Sequence, residues 1–374
     1  MKPEGTRTPR RVLLVAPLPP PYGGISHWTQ QMVLHCEALT GVKLSILDTA
    51  VRDREVYELA RTRRYWIALR GLPAQLFSFN TALRWPSPDA IHLTTSGKAA
   101  LARDTIFAVI AKTKRVPMIV HIRSGHLGDQ TPPPWSPEGL LLMVLLRLVA
   151  TVVVLDARSQ RVSQKLAPRS RVYVAPNFID TSRAPLLRSE ATNLPTSQKG
   201  TILFLGWVIP TKGIRELVDA WSECHRTGWK LILVGPCKPE FQAELLRRSR
   251  VPESLVFRGS LPHHEAMEAL SSSDIFAFPS YSEGFPNAIL EAMNHACAIV
   301  ATTVGAIPEM VDGEAILIQP RDTKGLAEAI AALMDDPAWR TQMGGRLRRR
   351  ARECYDQKGV ISQYVKLWSD SLRD

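Results

Sequence analysis

Residues 278–292 read Phe278-Pro-Ser-Tyr-Ser-Glu-Gly-Phe-Pro-Asn-Ala-Ile-Leu-Glu-Ala292. The apolar run Ile275 to Phe278 ends here, a loop carrying Glu283 and Gly284 follows, and helix-forming residues begin near Pro286. Proline suits the first turn of a helix, and glycine lets backbone approach a ligand closely. The stretch therefore predicts a buried strand, a tight loop and a bared helix start. The N–H groups and dipole of such a start favour an anion by roughly 0.3 to 2 kcal/mol, so a phosphate needs no lysine there. Glu283 precedes the helix and Glu291 lies one turn inside it. Two carboxylates flanking a phosphate-binding turn can accept hydrogen bonds from the sugars at either side of a diphosphate.

Outward from this stretch, short Val/Ile/Leu runs recur with helical segments between them. In the first half these are Val12 to Ala16, Val42 to Leu47, Ala90 to Leu93, Met118 to His121, Val152 to Leu155 and Val172 to Ala175. In the second half they are Thr201 to Leu205, Lys230 to Val234, Leu255 to Arg258, Ile275 to Phe278, Ala298 to Ala301 and Ala315 to Ile318. Uniformly apolar strands alternating with helices indicate parallel sheets covered on both faces. From Thr181 to Lys199 the chain is polar and irregular, with Pro185 and Pro195, which marks a linker. The expected organisation is a Rossmann-like domain over 1–182, a linker over 183–199 and a second Rossmann-like domain over 200–374. The last helix is free in this scheme to pack back on the first domain. Ligands of doubly wound domains bind at the carboxyl ends of the strands, so the loops that follow the strands are the ones to read.

The chain has 374 residues, 45% of them hydrophobic and 22% charged, which is the composition of a globular protein with a buried core. A formal charge of +12 points to an anionic partner: nucleic acid, an acidic membrane surface or a phosphorylated small molecule. Cys36, Cys224, Cys237, Cys297 and Cys354 are far apart, odd in number and without a C-x-x-C pair. They suggest neither a zinc site nor a disulfide framework, and a reducing, cytosolic compartment fits them. Basic residues precede Val12 to Ala16, but Pro17, Pro19, Pro20 and Pro21 cut the apolar run short of a signal-peptide core. The longest apolar stretch, Leu140 to Leu155, changes from Leu/Met-rich to Val-rich around Thr151, so it reads as a helix followed by a strand rather than a membrane span.

Glu283 and Glu291 form the E-x7-E spacing, and the chain here resembles the retaining glycosyltransferases of family four, glycosyl transferases group 1, which have the GT-B fold. Ala301-Thr-Thr-Val-Gly-Ala-Ile-Pro-Glu-Met-Val-Asp-Gly313, Val174-Ala-Pro-Asn-Phe-Ile-Asp180 and Val256-Phe-Arg-Gly259 are similar to the same family. The likeness is dense from about Val172 to Asp322 and thinner toward the N-terminus. It implies that Glu291 holds the ribose hydroxyls of a nucleotide donor and Glu283 contacts the transferred sugar. It also implies that backbone around Gly284, Phe285, Asn287 and Ala288 binds the distal phosphate.

Leu205-Gly-Trp-Val-Ile-Pro-Thr-Lys-Gly213 is another strand followed by a glycine-bounded loop, in which Gly206 permits close approach and Lys212 can offset charge on a departing diphosphate. The family usually has arginine after the first glycine; this chain has Trp207, and Arg215 or Arg258 are the cations available to substitute. Pro20-Pro-Tyr-Gly-Gly-Ile-Ser26 places Gly23 and Gly24 in a loop that, by the resemblance, faces the donor phosphate and the acceptor. It is neither G-x-G-x-x-G nor a P-loop, which removes the main support for nicotinamide or ATP binding. In Val120-His-Ile-Arg-Ser-Gly-His126 either His121 or Arg123 stands where the family has a histidine that reaches the sugar. A histidine on an apolar strand is equally a satisfied core group, and Asp129 nearby is a weaker candidate. Arg61 to Arg70, with Arg52 and Arg54 before it, mixes basic and aromatic residues: either contact with an anionic bilayer or a solvated helix face. No motif for nucleic acid accompanies the charge.

The expected activity is transfer of a sugar, with retention, from a UDP- or GDP-sugar to a hydroxyl of a glycan or lipid-linked glycan, in cell-surface polysaccharide synthesis. The expected place is the cytoplasm, peripheral at the inner face of the membrane. Neither cofactor nor metal is expected, since no aspartate pair sits at a strand end. Two other readings stay open: a catalytically silent subunit that binds a sugar nucleotide or a partner transferase, favoured by Trp207 and Arg123, and an epimerase acting without an acceptor.

Overall fold

The computed structural model describes residues 9–20, 23–50, 61–84, 86–97, 100–123, 127, 131–181 and 200–372. The chain divides into two compact units, one made of residues 1–177 with 358–374, the other of residues 178–357.

The first unit holds strands β1 (Arg11–Ala16), β2 (Lys43–Asp48), β3 (Ala90–Thr95), β4 (Met118–Ile122), β5 (Thr151–Val154) and β6 (Arg171–Val174). They form one parallel sheet in the order β2-β1-β3-β4-β5-β6. Helices α1 (Gly24–Thr40), α2 (Arg61–Ala82), α3 (Leu101–Thr113), α4 (Pro137–Leu148) and α5 (Ala157–Leu166) connect them. Every residue of β3, β4 and β5 is buried, as apolar central strands covered on both faces require. The stretch Leu140 to Leu155 resolves into α4 and β5, the helix opened by Ser136, whose hydroxyl accepts from Gly139 N at 3.0 Å. Asp156 caps α5 in the same way through Ser159 N at 2.7 Å.

The second unit holds β7 (Gly200–Leu205), β8 (Trp229–Val234), β9 (Leu255–Gly259), β10 (Ile275–Phe278), β11 (Ala298–Thr302) and β12 (Ile316–Ile318), again parallel, in the order β12-β11-β10-β7-β8-β9. Its helices are α6 (Ile214–Cys224), α7 (Pro239–Arg248), α8 (His263–Ser271), α9 (Asn287–Asn294), α10 (Ile307–Val311), α11 (Thr323–Asp335) and α12 (Pro337–Tyr355). All twelve strands fall on the apolar runs of the sequence.

The last helix, α13 (Gln357–Ser371), lies almost wholly in the first unit, so the second unit ends at Gln357 and not at residue 374. Its apolar side explains this. Trp368 and Tyr364 are fully buried; Trp368 Nε1 donates to His92 Nδ1 at 2.9 Å, and the Tyr364 ring centroid sits 5.4 Å from that of Trp28 on α1. The linker expected over 183–199 lies outside the described residues.

Candidate functional site

In the second unit β10 and β7 are neighbours, so the loops that leave their carboxyl ends are neighbours too. Tyr281 N donates to Thr211 O at 3.0 Å and joins them. Lys212 closes a 3₁₀ turn, Pro210–Lys212, after β7, and Gly213 follows with φ +70°. A side chain at Gly213 would overlap the carbonyl of Pro279, so only glycine lets this turn lie flat on the end of β10. The consequence is a direct hydrogen bond from Lys212 Nζ to Glu283 Oε1 across 71 residues of sequence. The pair is partly open to solvent, the side chains being 24% and 12% exposed, and Nζ lies 5.6 Å from the Phe278 ring centroid.

The loop after β11 closes the other side. Ala306 N donates to Gly284 O at 2.9 Å, and Gly305, with φ +55°, packs so tightly on the Glu283 and Gly284 carbonyls that a Cβ would overlap both. Thr302 Oγ1 donates to Ser280 O at 2.6 Å beneath them. Glu283 and Gly284 are thus held by backbone contacts from the loop after β11, while Lys212, from the loop after β7, orients the Glu283 carboxylate.

Helix α9 begins at Asn287 with Pro286 as N-cap, and no side chain caps it or places an acid in its first turn. The leading N–H groups of a helix have no partner within the helix, so the start of α9 beside Glu283 suits an anion. The Phe285 ring is buried edge-on against Tyr355 at 5.6 Å, so Phe285 contributes backbone and packing here, while Ala288 sits in the helix's first turn. Gly206, with φ +151°, packs against the turn at Gly235 after β8. The basic substitutes named for the missing arginine are otherwise placed. Arg215 binds Glu244 through Nε at 2.6 Å and Nη2 at 3.1 Å, and Arg258 is exposed on the edge strand β9.

Glu291 lies one turn into α9, its side chain 14% exposed. Burial pushes its pKa up to about 7. His263, at the start of α8, has Nδ1 4.0 Å from Glu291 Oε1. Sequence reading passed over His263, because it lies outside every motif and reaches Glu291 only through the packing of α8 on α9.

The folded protein holds the Glu291 proton more tightly than the unfolded chain, so the stability this proton provides falls as pH rises from 4.5 through about 7. Donor binding has the opposite sign if it uses the carboxylate as an acceptor, because an ionised group accepts the stronger hydrogen bonds. We expect affinity for a nucleotide sugar, whose diphosphate does not titrate in this range, to rise about tenfold between about pH 6 and about pH 8. Calorimetric titration of the wild type and Glu291→Gln measures this. A flat wild-type profile, or an equal slope in the variant, removes Glu291 ionisation from binding.

In the first unit, Gly23 and Gly24 open α1 at the end of β1; a Cβ at either would meet nothing, so neither packing nor backbone strain demands glycine. Ser26 Oγ accepts from Gly23 N at 3.0 Å and fixes this helix start. His121 is fully buried, its Nδ1 3.2 Å from His92 Nε2, and the Trp28 and Tyr364 rings pack on it. Burial first, then the charges of Arg123 and His92, push its pKa well below the ordinary value and hold the ring neutral. Of the two candidates, His121 is therefore enclosed in the core, and Arg123, at the strand end, is buried as well. Arg123 stacks on Trp28 at 4.2 Å and donates from Nη2 to Asn177 Oδ1 at 2.5 Å, which ties Asn177 of the Val174 to Asp180 motif to β4. Its Nε makes no hydrogen bond, nor does His121 Nε2. Asp129, Arg52, Arg54 and the side chains of 61–69 lie outside the described residues.

Residues 199–336 match the family model for glycosyl transferases group 1. The chain carries a group 1 glycosyl transferase domain. That domain contains all the second-unit site residues above. Over 303 residues the chain is 26% identical to a glycogen synthase of Mycobacterium tuberculosis (strain H37Rv), covering 76% of this chain and 70% of that one. It is 26% identical over 305 residues to a putative teichuronic acid biosynthesis glycosyltransferase, TuaC, of Bacillus subtilis (strain 168), covering 76% and 72%. Among solved structures, sucrose-phosphate synthase from Thermosynechococcus elongatus superposes with a TM-score of 0.74 at 18% identity, covering 96% of this chain and 98% of that one. HepE of Anabaena, solved in complex with UDP, gives 0.71 at 17% identity over 96% and 100%. The two-sheet α/β fold is thus the GT-B fold that the sequence resemblance implied, and it takes in both units around the group 1 domain.

Proposed function

We propose that the chain transfers a sugar from a nucleotide-diphosphate donor to a hydroxyl of a glycan or lipid-linked glycan, with retention at the anomeric carbon. The observation that carries this reading is the meeting of Lys212 with Glu283 beside the uncapped start of α9. It assembles a cation, a carboxylate and a row of backbone N–H groups where a pyrophosphate leaving group would need them. As the glycosidic bond breaks, negative charge grows on the β-phosphate oxygen; Lys212 and the amides around Ala288 stabilise it. Glu283 then accepts from a hydroxyl of the transferred sugar and Glu291 from the ribose. The departing phosphate oxygen takes the proton of the acceptor hydroxyl, whose oxygen bonds to the anomeric carbon on the same face. No enzyme nucleophile is consumed.

The names of relatives, a glycogen synthase and a teichuronic acid glycosyltransferase, support a polymer-building role, and the UDP complex of HepE supports a uridine or related nucleotide donor. In this reading the donor sits on the second unit and the acceptor on the first, where Arg123, like His121, is buried. Gly23 and Gly24 supply the open backbone there. Trp207, standing where the family has arginine, favours the second reading: a subunit that binds a sugar nucleotide without turning it over.

A thermal-shift panel of nucleotide sugars tests the binding step, because a ligand present at about 100 times its Kd stabilises a folded protein by about 2.7 kcal/mol. One UDP- or GDP-sugar should raise Tm clearly above the others. No shift with any of them ends the proposal. Binding without hydrolysis or transfer by the purified chain selects the silent subunit, and an inverted product rules out retention.

A further inference from the structure

The connections β2 to β3, β3 to β4 and β4 to β5 all step in one direction across the first sheet, so right-handed crossovers place α2, α3 and α4 on the same face. α3 packs on both α2 and α4, and the inner sides of all three join one core with Phe79, Phe107, Leu142, Leu145 and Leu146. The Phe79 and Phe107 rings stack at 4.1 Å. What distinguishes this layer is its outer side. Helix α4 has seven consecutive apolar residues, Leu140 to Leu146, and is therefore apolar round its whole circumference. A helix of that kind is normally enclosed. Here its outward positions, Leu140 and Val144, are bare, and Trp135 just before it is 87% exposed. The neighbouring helices continue the pattern with exposed Ile106 and Val109 on α3 and with Phe77, 75% exposed, on α2.

Charge says what covers this face. Among the described residues of the three helices the acids are Asp104, buried against Arg103, and half-buried Glu138. Exposed Arg70, Lys112 and Arg147 lie on the same helices, and exposed Lys114 and Arg115 extend α3. An apolar, tryptophan-bearing surface rimmed by cations and lacking exposed acids matches the boundary of an anionic bilayer, where rings and aliphatic chains enter the acyl edge and cations meet lipid phosphates. No helix among the described residues is long and apolar enough to cross a membrane, so the contact is lateral.

The geometry points to the outer face of α2, α3 and α4 as a docking surface for an anionic lipid bilayer, seated by Phe77, Trp135, Leu140 and Val144. The surface is separate from every residue placed at the donor site, and it stands or falls independently of the transfer reading.

The test is flotation of the purified full chain with vesicles of phosphatidylcholine containing about one-third phosphatidylglycerol, against vesicles of phosphatidylcholine alone. The chain should float with the anionic vesicles and dissociate as salt rises. The triple variant Phe77→Ser, Trp135→Ser, Leu140→Gln should keep the wild-type Tm, since these side chains are exposed, yet partition at least about tenfold more weakly. A second variant, Lys112→Glu with Lys114→Glu, should lose preference for the anionic vesicles. No flotation, or flotation unchanged in both variants, overturns the proposal. So does sedimentation showing a wild-type dimer that the triple variant converts to monomer, since the face would then cover a second copy of the chain.

Discussion

Lys212→Ala is expected to lower the transfer rate by about a hundredfold to a thousandfold, the loss seen when one preorganised donor to a developing oxyanion is removed, about 2.7 to 4 kcal/mol. The expectation rests on position. The ammonium is fixed by Glu283, by the 3₁₀ turn of Pro210–Lys212 and by the loop contact from Tyr281 to Thr211. It therefore needs little reorganisation when charge appears on a departing phosphate. Because the pair is partly exposed, its removal should change stability by no more than about 1 kcal/mol. Donor affinity should fall far less than kcat, since an interaction made mainly in the transition state shows in turnover. Glu283→Ala should also reduce turnover sharply, by releasing Lys212 and removing an acceptor for the sugar. Steady-state kinetics with a true acceptor and chemical denaturation of both variants give the measurement. Unchanged turnover in the two variants would falsify the assignment of both residues.

Gly213→Ala should produce a large loss of stability at this site, about 3 kcal/mol. Gly213 adopts φ +70°, which costs an L-residue about 1 to 2 kcal/mol, and the added Cβ would overlap the Pro279 carbonyl, for which overpacking adds about 1 to 3 kcal/mol. Relief requires the Lys212 turn to lift from β10, so donor binding should weaken with the fold. Gly259→Ala provides the contrast: its φ is +63°, but a Cβ there meets nothing, so the backbone cost alone, about 1 to 2 kcal/mol, applies. Denaturation midpoints of the two variants decide the matter. Equal losses would show that the contact with Pro279 yields easily and that the turn is not wedged as described.

The basic composition illustrates a reading that the fold refines. The charge of +12 indicates anionic partners, yet several arginines of α12 serve the second unit itself. Arg350 donates to Met310 O at 2.7 Å and Glu309 O at 2.8 Å, near the end of α10, and Arg340 donates to Leu333 O and Met334 O at 2.5 and 3.0 Å, near the end of α11. Arg346 pairs with Glu314. Cations at helix C-termini satisfy carbonyls that the helix leaves unpaired. Among the described residues, the exposed cations on α2, α3 and α4 are Arg70, Lys112 and Arg147, and their effect comes from their place round an apolar face.

His121 shows a related limit. Its position at the end of an apolar strand was visible, and so was the ambiguity between ligand contact and core packing. Only the return of α13 over the first sheet decided between them, because Tyr364 and Trp368 arrive from far along the chain to enclose the two histidines. No local pattern near residue 121 contains that information.

By itself the sequence determined the local and periodic features: twelve apolar strands, the helices between them, and the loop from Glu283 to Asn287 that bares a helix start. These depend on propensity, burial and glycine conformations within a few neighbours. Tertiary structure alone decided that Lys212 meets Glu283, that His263 approaches Glu291 and that the last helix completes the first unit. Those contacts follow from strand order and from which helices pack together, and strand order is set by the whole folded chain rather than by any segment of it.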